Sequence, residues 1–105
     1  MTRKRLPERR YVVTCRVPHT YHSGNQVHLT VSYGIREDDG IREVFCSSFK
    51  TGDDMMTLMV DASILVSRCL QHGDTLENIA QALCEPRSLI GSIVEHGTGV
   101  QEEIG

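Results

Sequence analysis

The sequence predicts an α+β domain in which a small antiparallel sheet of about three strands packs on a C-terminal helical hairpin. Segments with the period-two apolar alternation of strands lie in the N-terminal half, and segments with the period of an amphipathic helix follow them. Strands and helices do not alternate along the chain, which argues against a parallel sheet. The 105 residues suffice for one domain with one small core.

The first predicted strand covers Tyr11 to Val17, where the run YVVTCRV is dense in β-branched residues. We expect this strand to end at Pro18, and the stretch PHTYHSGN to form a loop. The second strand runs from Gln26 to Ile35. Its apolar side chains recur at every second position, which predicts one buried face formed by Val27, Leu29, Val31 and Tyr33.

The third strand is predicted to return from a hairpin turn at Asp39-Gly40 and to cover Ile41 to Phe49. Strict alternation places Ile41, Glu43, Phe45 and Ser47 on one side of this strand and Arg42, Val44, Cys46 and Ser48 on the other. Each side mixes apolar and polar residues, so we expect a central or partly covered strand.

A long amphipathic helix follows, with an N-cap at Asp53 and an end at His72-Gly73. Its apolar positions have helical spacing and are Met55, Leu58, Met59, Ala62, Leu65, Val66, Cys69 and Leu70. Asp74 and Glu77 resemble a capping box that begins a second helix, which we expect to end before Pro86 and to pair with the first as an αα-hairpin.

Beyond Pro86 the helical pattern is weaker. Residues Ser88 to Val94 predict a short additional turn of helix, but several glycines interrupt the pattern, and we expect a frayed tail from Thr98. The predicted organisation is a basic arm over residues 1–10, a domain over 11–97 and a flexible tail over 98–105.

Composition limits the function. Eleven Lys and Arg against 14 Asp and Glu give a net charge of −3, which argues against nucleic-acid binding by the whole surface. No apolar run approaches the roughly 18 residues that span a bilayer, so we expect a cytoplasmic protein without membrane contact. The four cysteines are widely spaced, which favours reduced thiols.

Five of the eleven basic residues lie within Met1 to Arg10. Such an arm is typical of an anion-binding or nucleic-acid-binding tail, or of a solvated terminus that pairs with acidic groups of the domain. We favour the solvated terminus.

A zinc site is one candidate for chemistry, because Cys15, His19 and His22 have a C-x3-H-x2-H spacing. Pro18 lies within the group, and a fourth ligand is missing unless His28 supplies it. We therefore expect a packed cysteine and loop histidines, with no metal and no cofactor.

Two further residues are candidates for a site. Lys50 precedes the first helix, where backbone N–H groups can meet a phosphate, although the spacing of a P-loop is absent and acidic residues follow. Asp61 shares a helix face with Asp54 and Arg68 at intervals of seven residues. A solvated, salt-bridged stripe is the favoured interpretation, with Asp61 partly covered and paired.

Together these stretches resemble the TSCPD domain family, and the resemblance extends from RLPERR to about Gly97. The matching segments are RLPERR, DGIREVFCSSFKTG and VDASILVSRCLQHGDTLENIAQAL. No Thr-Ser-Cys-Pro-Asp string occurs in this chain, so no role of that motif is carried over. The family is known as a module attached to the radical-barrel chain of some ribonucleotide reductases, and as small free-standing proteins of bacteria and their prophages. This chain resembles the free-standing members.

The resemblance implies an accessory module linked to nucleotide metabolism or DNA replication. We expect a non-catalytic homodimer that contacts a ribonucleotide reductase or another replication protein, because a radical-bearing barrel exceeds 105 residues. The alternative is a nucleotide-binding component of a reductase-like enzyme, with Lys50 and the arm on phosphates. The interaction candidates within the matching segments are Glu43, Phe45, Lys50, Asp61, Gln71 and His72.

Overall fold

A computed structural model describes residues 10–49 and 52–104 and shows a three-stranded antiparallel sheet followed by three helices. The strands pair in the order β1-β2-β3. The elements are β1 (Arg10–Thr20), β2 (Gln26–Arg36), β3 (Gly40–Cys46), α1 (Asp54–Gln71), α2 (Leu76–Ala82) and α3 (Leu89–Ile104). The predicted α+β class is confirmed.

Strand β1 does not end at Pro18 as expected, but continues to Thr20 and pairs with β2 along its whole length. Proline is tolerated at this position because β1 is an edge strand, where a missing N–H need not interrupt the ladder. The loop that follows is correspondingly short. It is closed by a hydrogen bond from the Tyr21 N–H to the Asn25 carbonyl at 2.8 Å.

Strand β2 has the predicted alternation, but β3 contains an irregularity that changes its faces. Gly34 lies opposite Glu43, whereas Ile35 lies opposite Ile41, so that Arg42 is an extra residue in β3. Such a β-bulge shifts the alternation by one position. Ile41 is therefore buried with Val44 on the core side, which corrects the strict alternation predicted for this strand.

Helix α1 has the predicted ends. The Asp53 side chain accepts a hydrogen bond from the Met55 N–H at 3.2 Å, and Gly73 has a φ of +105° just after the C-cap His72. The helix runs beside the edge of β3. The Ser67 hydroxyl accepts from the Val44 N–H at 3.0 Å and donates to the Val44 carbonyl at 3.3 Å, which satisfies edge groups that no strand pairs.

The second helix begins one residue later than a capping box at Asp74 would place it. Thr75 is the N-cap, with extended backbone and a hydroxyl that accepts from the Asn78 N–H at 3.0 Å. Helix α2 packs more extensively on α3 than on α1.

Helix α3 differs most from expectation, since it continues to Ile104 instead of fraying from Thr98. Packing against the sheet outweighs the low helix propensity of its glycines. The Cβ of any larger residue at position 97 would lie 2.9 Å from the Tyr33 ring, so Gly97 permits this close approach. The last turns are also fixed, because the Gln101 side chain accepts from the Ile41 N–H at 2.7 Å.

The core lies between the helices and one face of the sheet. The Tyr33 hydroxyl donates to the Ile93 carbonyl at 2.7 Å inside this core, and burial raises the pKa of Tyr33 well above its usual range. The buried hydrophobic residues are Val17, Leu29, Val31, Tyr33, Ile35, Ile41, Val44, Cys46, Met59, Val66, Leu70, Leu76, Ile79, Ile93, Val94 and Val100.

Candidate functional site

We call the side of the sheet that faces away from the helices the outer sheet face. Strand alternation and the observed register place on it Val12, Thr14, Arg16, Thr30, Ser32, Gly34, Glu43 and Phe45. Val12 is 64% exposed and Phe45 is 47% exposed. No helix among residues 10–49 and 52–104 covers this face, so two large apolar side chains remain in contact with solvent.

Cross-strand neighbours order the outer sheet face. Val12, Gly34 and Glu43 lie in one row across the three strands, and Thr14, Ser32 and Phe45 lie in the next. A hydrogen bond of 3.2 Å joins the Thr14 and Ser32 hydroxyls. A Cβ at Gly34 would lie 2.8 Å from the Glu43 Oε1 atom, so the Glu43 carboxylate occupies the space above this glycine.

A shallow cavity of about 160 Å³ lies at one end of the sheet. We call it the arginine-lined cavity, because Arg10, Arg36 and Arg42 contribute to its wall together with Glu43 and Gln71. The Gln71 amide donates to the Arg42 carbonyl at 3.3 Å, which fixes the end of α1 against β3. The remaining lining residues are Tyr11, Val12, Gly34 and Ile35.

Helix α1 also carries a row of mostly apolar residues on its outer side, which we call the α1 stripe: Met55, Leu58, Ala62, Leu65 and Cys69. Leu58 and Leu65 are 62% and 64% exposed. Asp61 and Arg68 lie beside this row. Asp61 is itself exposed, whereas the sequence predicts partial cover.

The three candidate zinc ligands do not form a metal site. Across the described ranges, no group of three His, Cys, Asp or Glu side chains is arranged to hold a metal ion. His19 is buried against α3, where its Nδ1 lies 2.7 Å from the Ser92 hydroxyl, and its ring contacts Tyr21 edge-on. Burial, with a smaller contribution from His22, lowers the pKa of His19.

Cys15 shares the inner side of β1 with His19, while His22 is exposed in the turn that follows. Burial, with a smaller contribution from Glu103, raises the pKa of the Cys15 thiol. A raised pKa disfavours the thiolate that would bind a metal.

The structure brings only some of the predicted interaction residues together. Glu43 and Gln71 line the same cavity, and Phe45 follows on the same sheet face as Glu43. Asp61 lies apart on α1, and the backbone N–H of His72 closes that helix on the Arg68 carbonyl. Lys50 and residues 1–9 of the arm lie outside the described residues.

Sequence reasoning misses Arg42 and the role of Leu58 and Leu65 as exposed residues. The position of Arg42 depends on the bulge, for which the sequence has no local signal. Helical spacing alone assigns Leu58 and Leu65 to the buried face of α1. The signal that could have separated them from that face is their spacing from Met55, which is the a/d spacing of a second row along the helix.

Comparison with known proteins identifies one match. The family model of the TSCPD domain matches residues 1–101. Searches of curated proteins and of solved structures give no significant match. Within the described residues, none of the helices is sufficiently long and apolar to cross a membrane.

Proposed function

Because the chain belongs to the TSCPD domain family, we propose that it is a non-catalytic accessory module that acts by protein contact in nucleotide metabolism. Its partner in this proposal is a ribonucleotide reductase chain, the protein to which domains resembling this one are attached. The observation that carries the proposal is the uncovered outer sheet face with its exposed Val12 and Phe45. We place this activity in the cytoplasm, where the four free cysteines stay reduced.

The outer sheet face has the composition of a protein contact surface. Aromatic side chains are frequent anchors of protein interfaces, because they bury a large area with few rotatable bonds. Phe45 stands beside the Thr14 and Ser32 hydroxyls, which are hydrogen-bonded to each other. The Glu43 carboxylate and Arg16 supply polar groups around these apolar residues.

The proposal is tested by titrating the purified chain into the ribonucleotide reductase of the same source in a calorimeter. We expect Phe45→Ser to weaken binding at least tenfold, since central aromatic anchors commonly contribute more than about 1.4 kcal/mol. Ile64→Ser is the matched control, because Ile64 is 51% exposed but lies on α1. Equal affinity of both variants, or no binding by the unmodified chain, would contradict the proposal.

A second candidate function is favoured by the arginine-lined cavity. Three arginines line this one small cavity, and arginine is suited to a phosphate because it binds phosphate oxygens with two parallel hydrogen bonds. Its volume of about 160 Å³ is below the ~300 Å³ at which ligand pockets of whole small molecules begin. In this alternative the cavity takes the phosphate groups of a nucleotide, and Lys50 with the basic arm contributes further cations.

Thermal unfolding with nucleoside di- and triphosphates tests this alternative, because a ligand of the folded state raises the midpoint. Arg42→Gln should abolish the shift. Glu43→Gln should enlarge it, since it removes a negative charge from the same cavity. If millimolar nucleotide gives no shift with the unmodified chain, the nucleotide-binding alternative is wrong.

A further inference from the structure

Helix α1 has more apolar surface than its packing against the sheet uses. Its buried row consists of Met59, Ser63, Val66 and Leu70. The α1 stripe lies beside this row, on the side of the helix away from Ser67, whose hydroxyl contacts β3. No other described element covers Leu58 and Leu65. The stripe is therefore an apolar surface left over after the domain has folded.

The spacing of the stripe is that of a helix that pairs with another helix. Its residues follow one another at intervals of three, four, three and four, from Met55 through Leu58, Ala62 and Leu65 to Cys69. This is the a/d pattern of helices that pack side by side with interlocking side chains. A row of this kind fits a second helix better than it fits a strand or an extended peptide.

We propose that the α1 stripe binds a second copy of this chain, with the two α1 helices antiparallel about a two-fold axis. This inference rests on the proposed function, protein contact, and names a partner for a different surface of the module. The stripe and the outer sheet face lie on separate elements. One copy can therefore occupy α1 while a reductase chain occupies the sheet.

Charge determines the direction of the pairing. Asp61 and Arg68 lie on the same edge of the stripe, seven residues apart. In an antiparallel pair each Asp61 lies near Arg68 of the second copy, which gives two equivalent attractions across the axis. A parallel pair would instead set this edge against the opposite edge of the second helix, where Met59 and Val66 lie, so neither charge would meet its opposite. The surface is therefore complementary to itself in the antiparallel direction.

The register follows from the same residues. Placing Ala62 against Leu65 of the second copy also sets Leu58 against Cys69, so each contact across the pair joins a large side chain to a smaller one. The two-fold axis then passes between Ser63 and Ile64. In this register Asp61 is within reach of Arg68 of the second copy, whereas a shift of one heptad would bring the two Asp61 residues together.

Sedimentation equilibrium of the full chain tests the proposal. We expect a dimer at about 100 µM that Leu65→Asp converts to monomer, because a carboxylate would be desolvated at the centre of the contact. Ile64→Asp is the matched control, since Ile64 is the preceding residue, is 51% exposed and lies off the stripe. A monomeric unmodified chain, or a Leu65→Asp variant that remains dimeric, would overturn the proposal.

The direction of pairing has its own test. Asp61→Arg or Arg68→Asp alone should weaken the dimer severalfold, because each places like charges together across the axis. The double variant Asp61→Arg/Arg68→Asp should restore the dissociation constant, since the exchange recreates both attractions. Lack of restoration in the double variant excludes the antiparallel arrangement.

These outcomes are separable from those of the proposed function. Loss of reductase binding in Phe45→Ser with an intact dimer bears on the outer sheet face alone. Loss of the dimer in Leu65→Asp with unchanged reductase affinity per chain bears on the α1 stripe alone. Circular dichroism of each variant verifies that the domain is still folded.

Discussion

Gly97 lies where α3 packs closely on Tyr33 of the sheet, and Gly99 lies on the solvent side of the same helix. A Cβ at Gly97 would meet the Tyr33 ring at 2.9 Å and Leu76 at 3.1 Å, whereas a Cβ at Gly99 would meet nothing within 4 Å. The two glycines therefore have opposite effects on the same element. One is required for packing, and the other only lowers helix propensity.

We predict that Gly97→Ala lowers the free energy of unfolding by about 1–3 kcal/mol, because overpacking exceeds the gain in helix propensity. Gly99→Ala should raise it by about 0.5–1 kcal/mol. Urea unfolding followed by circular dichroism measures both. A stabilised Gly97→Ala would mean that α3 does not approach Tyr33 this closely.

His19 gives the fold a dependence on acid. Its lowered pKa means that the unfolded chain takes up this proton at a higher pH than the folded chain. The contribution of His19 to the free energy of unfolding is therefore complete above the ordinary histidine pKa of 6.5, and it is lost as the pH falls below that value. The neutral ring is the form that is buried against α3, where it is hydrogen-bonded to the Ser92 hydroxyl.

We predict that the free energy of unfolding falls between pH 7.5 and pH 5 and that His19→Gln shows a smaller fall over the same range. Urea unfolding at several pH values measures this difference. Proton NMR of the His19 ring provides a direct comparison. A titration midpoint of the ring at or above 6.5 would contradict a lowered pKa for His19.

At the scale of elements, the contact between α1 and β3 depends on one hydroxyl. The Ser67 side chain serves both the N–H and the carbonyl of Val44 at the edge of the sheet. One helical turn earlier, the Ser63 hydroxyl is buried and has no hydrogen-bond partner within the described residues. Two serines of one helix thus differ in what their hydroxyl contributes.

We predict that Ser67→Ala lowers the free energy of unfolding by about 1–3 kcal/mol, since it leaves the Val44 N–H and carbonyl at the edge of β3 without their partner. Ser63→Ala should be neutral or slightly stabilising, because it removes a buried polar group that is not hydrogen-bonded. Chemical unfolding of both variants makes the comparison. Equal losses in the two variants would show that the Ser67 hydroxyl does not support the edge.

The ends of α1 and the faces of β2 could be predicted because they depend on neighbouring residues. Asp53 caps its own helix, Gly73 reverses the chain, and alternation alone buries Tyr33. The extension of β1 past Pro18 and the bulge at Arg42 depend on the partner strand β2. Such contacts between distant segments leave no mark on the local pattern.

The candidate site divides in the same way. Glu43 and Gln71 are candidates for interaction because they lie in the segments that resemble the TSCPD family. Both residues line one cavity. Their closeness follows from the packing of α1 along β3, which periodicity does not specify. The exposure of Leu65 is likewise a property of the whole molecule, because the same residue would be buried if another helix lay beside α1.

For the molecule as a whole, the two edges of the sheet are not equivalent. Helix α1 occupies the edge of β3, while among residues 10–49 and 52–104 the only strand that pairs with β1 is β2. Strand-by-strand growth of an aggregate needs two open edges, so that each added copy offers a new one. With β3 closed, pairing between two β1 strands would stop at two copies. By helping to hold α1 on the edge of β3, the Ser67 hydroxyl thus protects the three-stranded sheet against edge-to-edge aggregation.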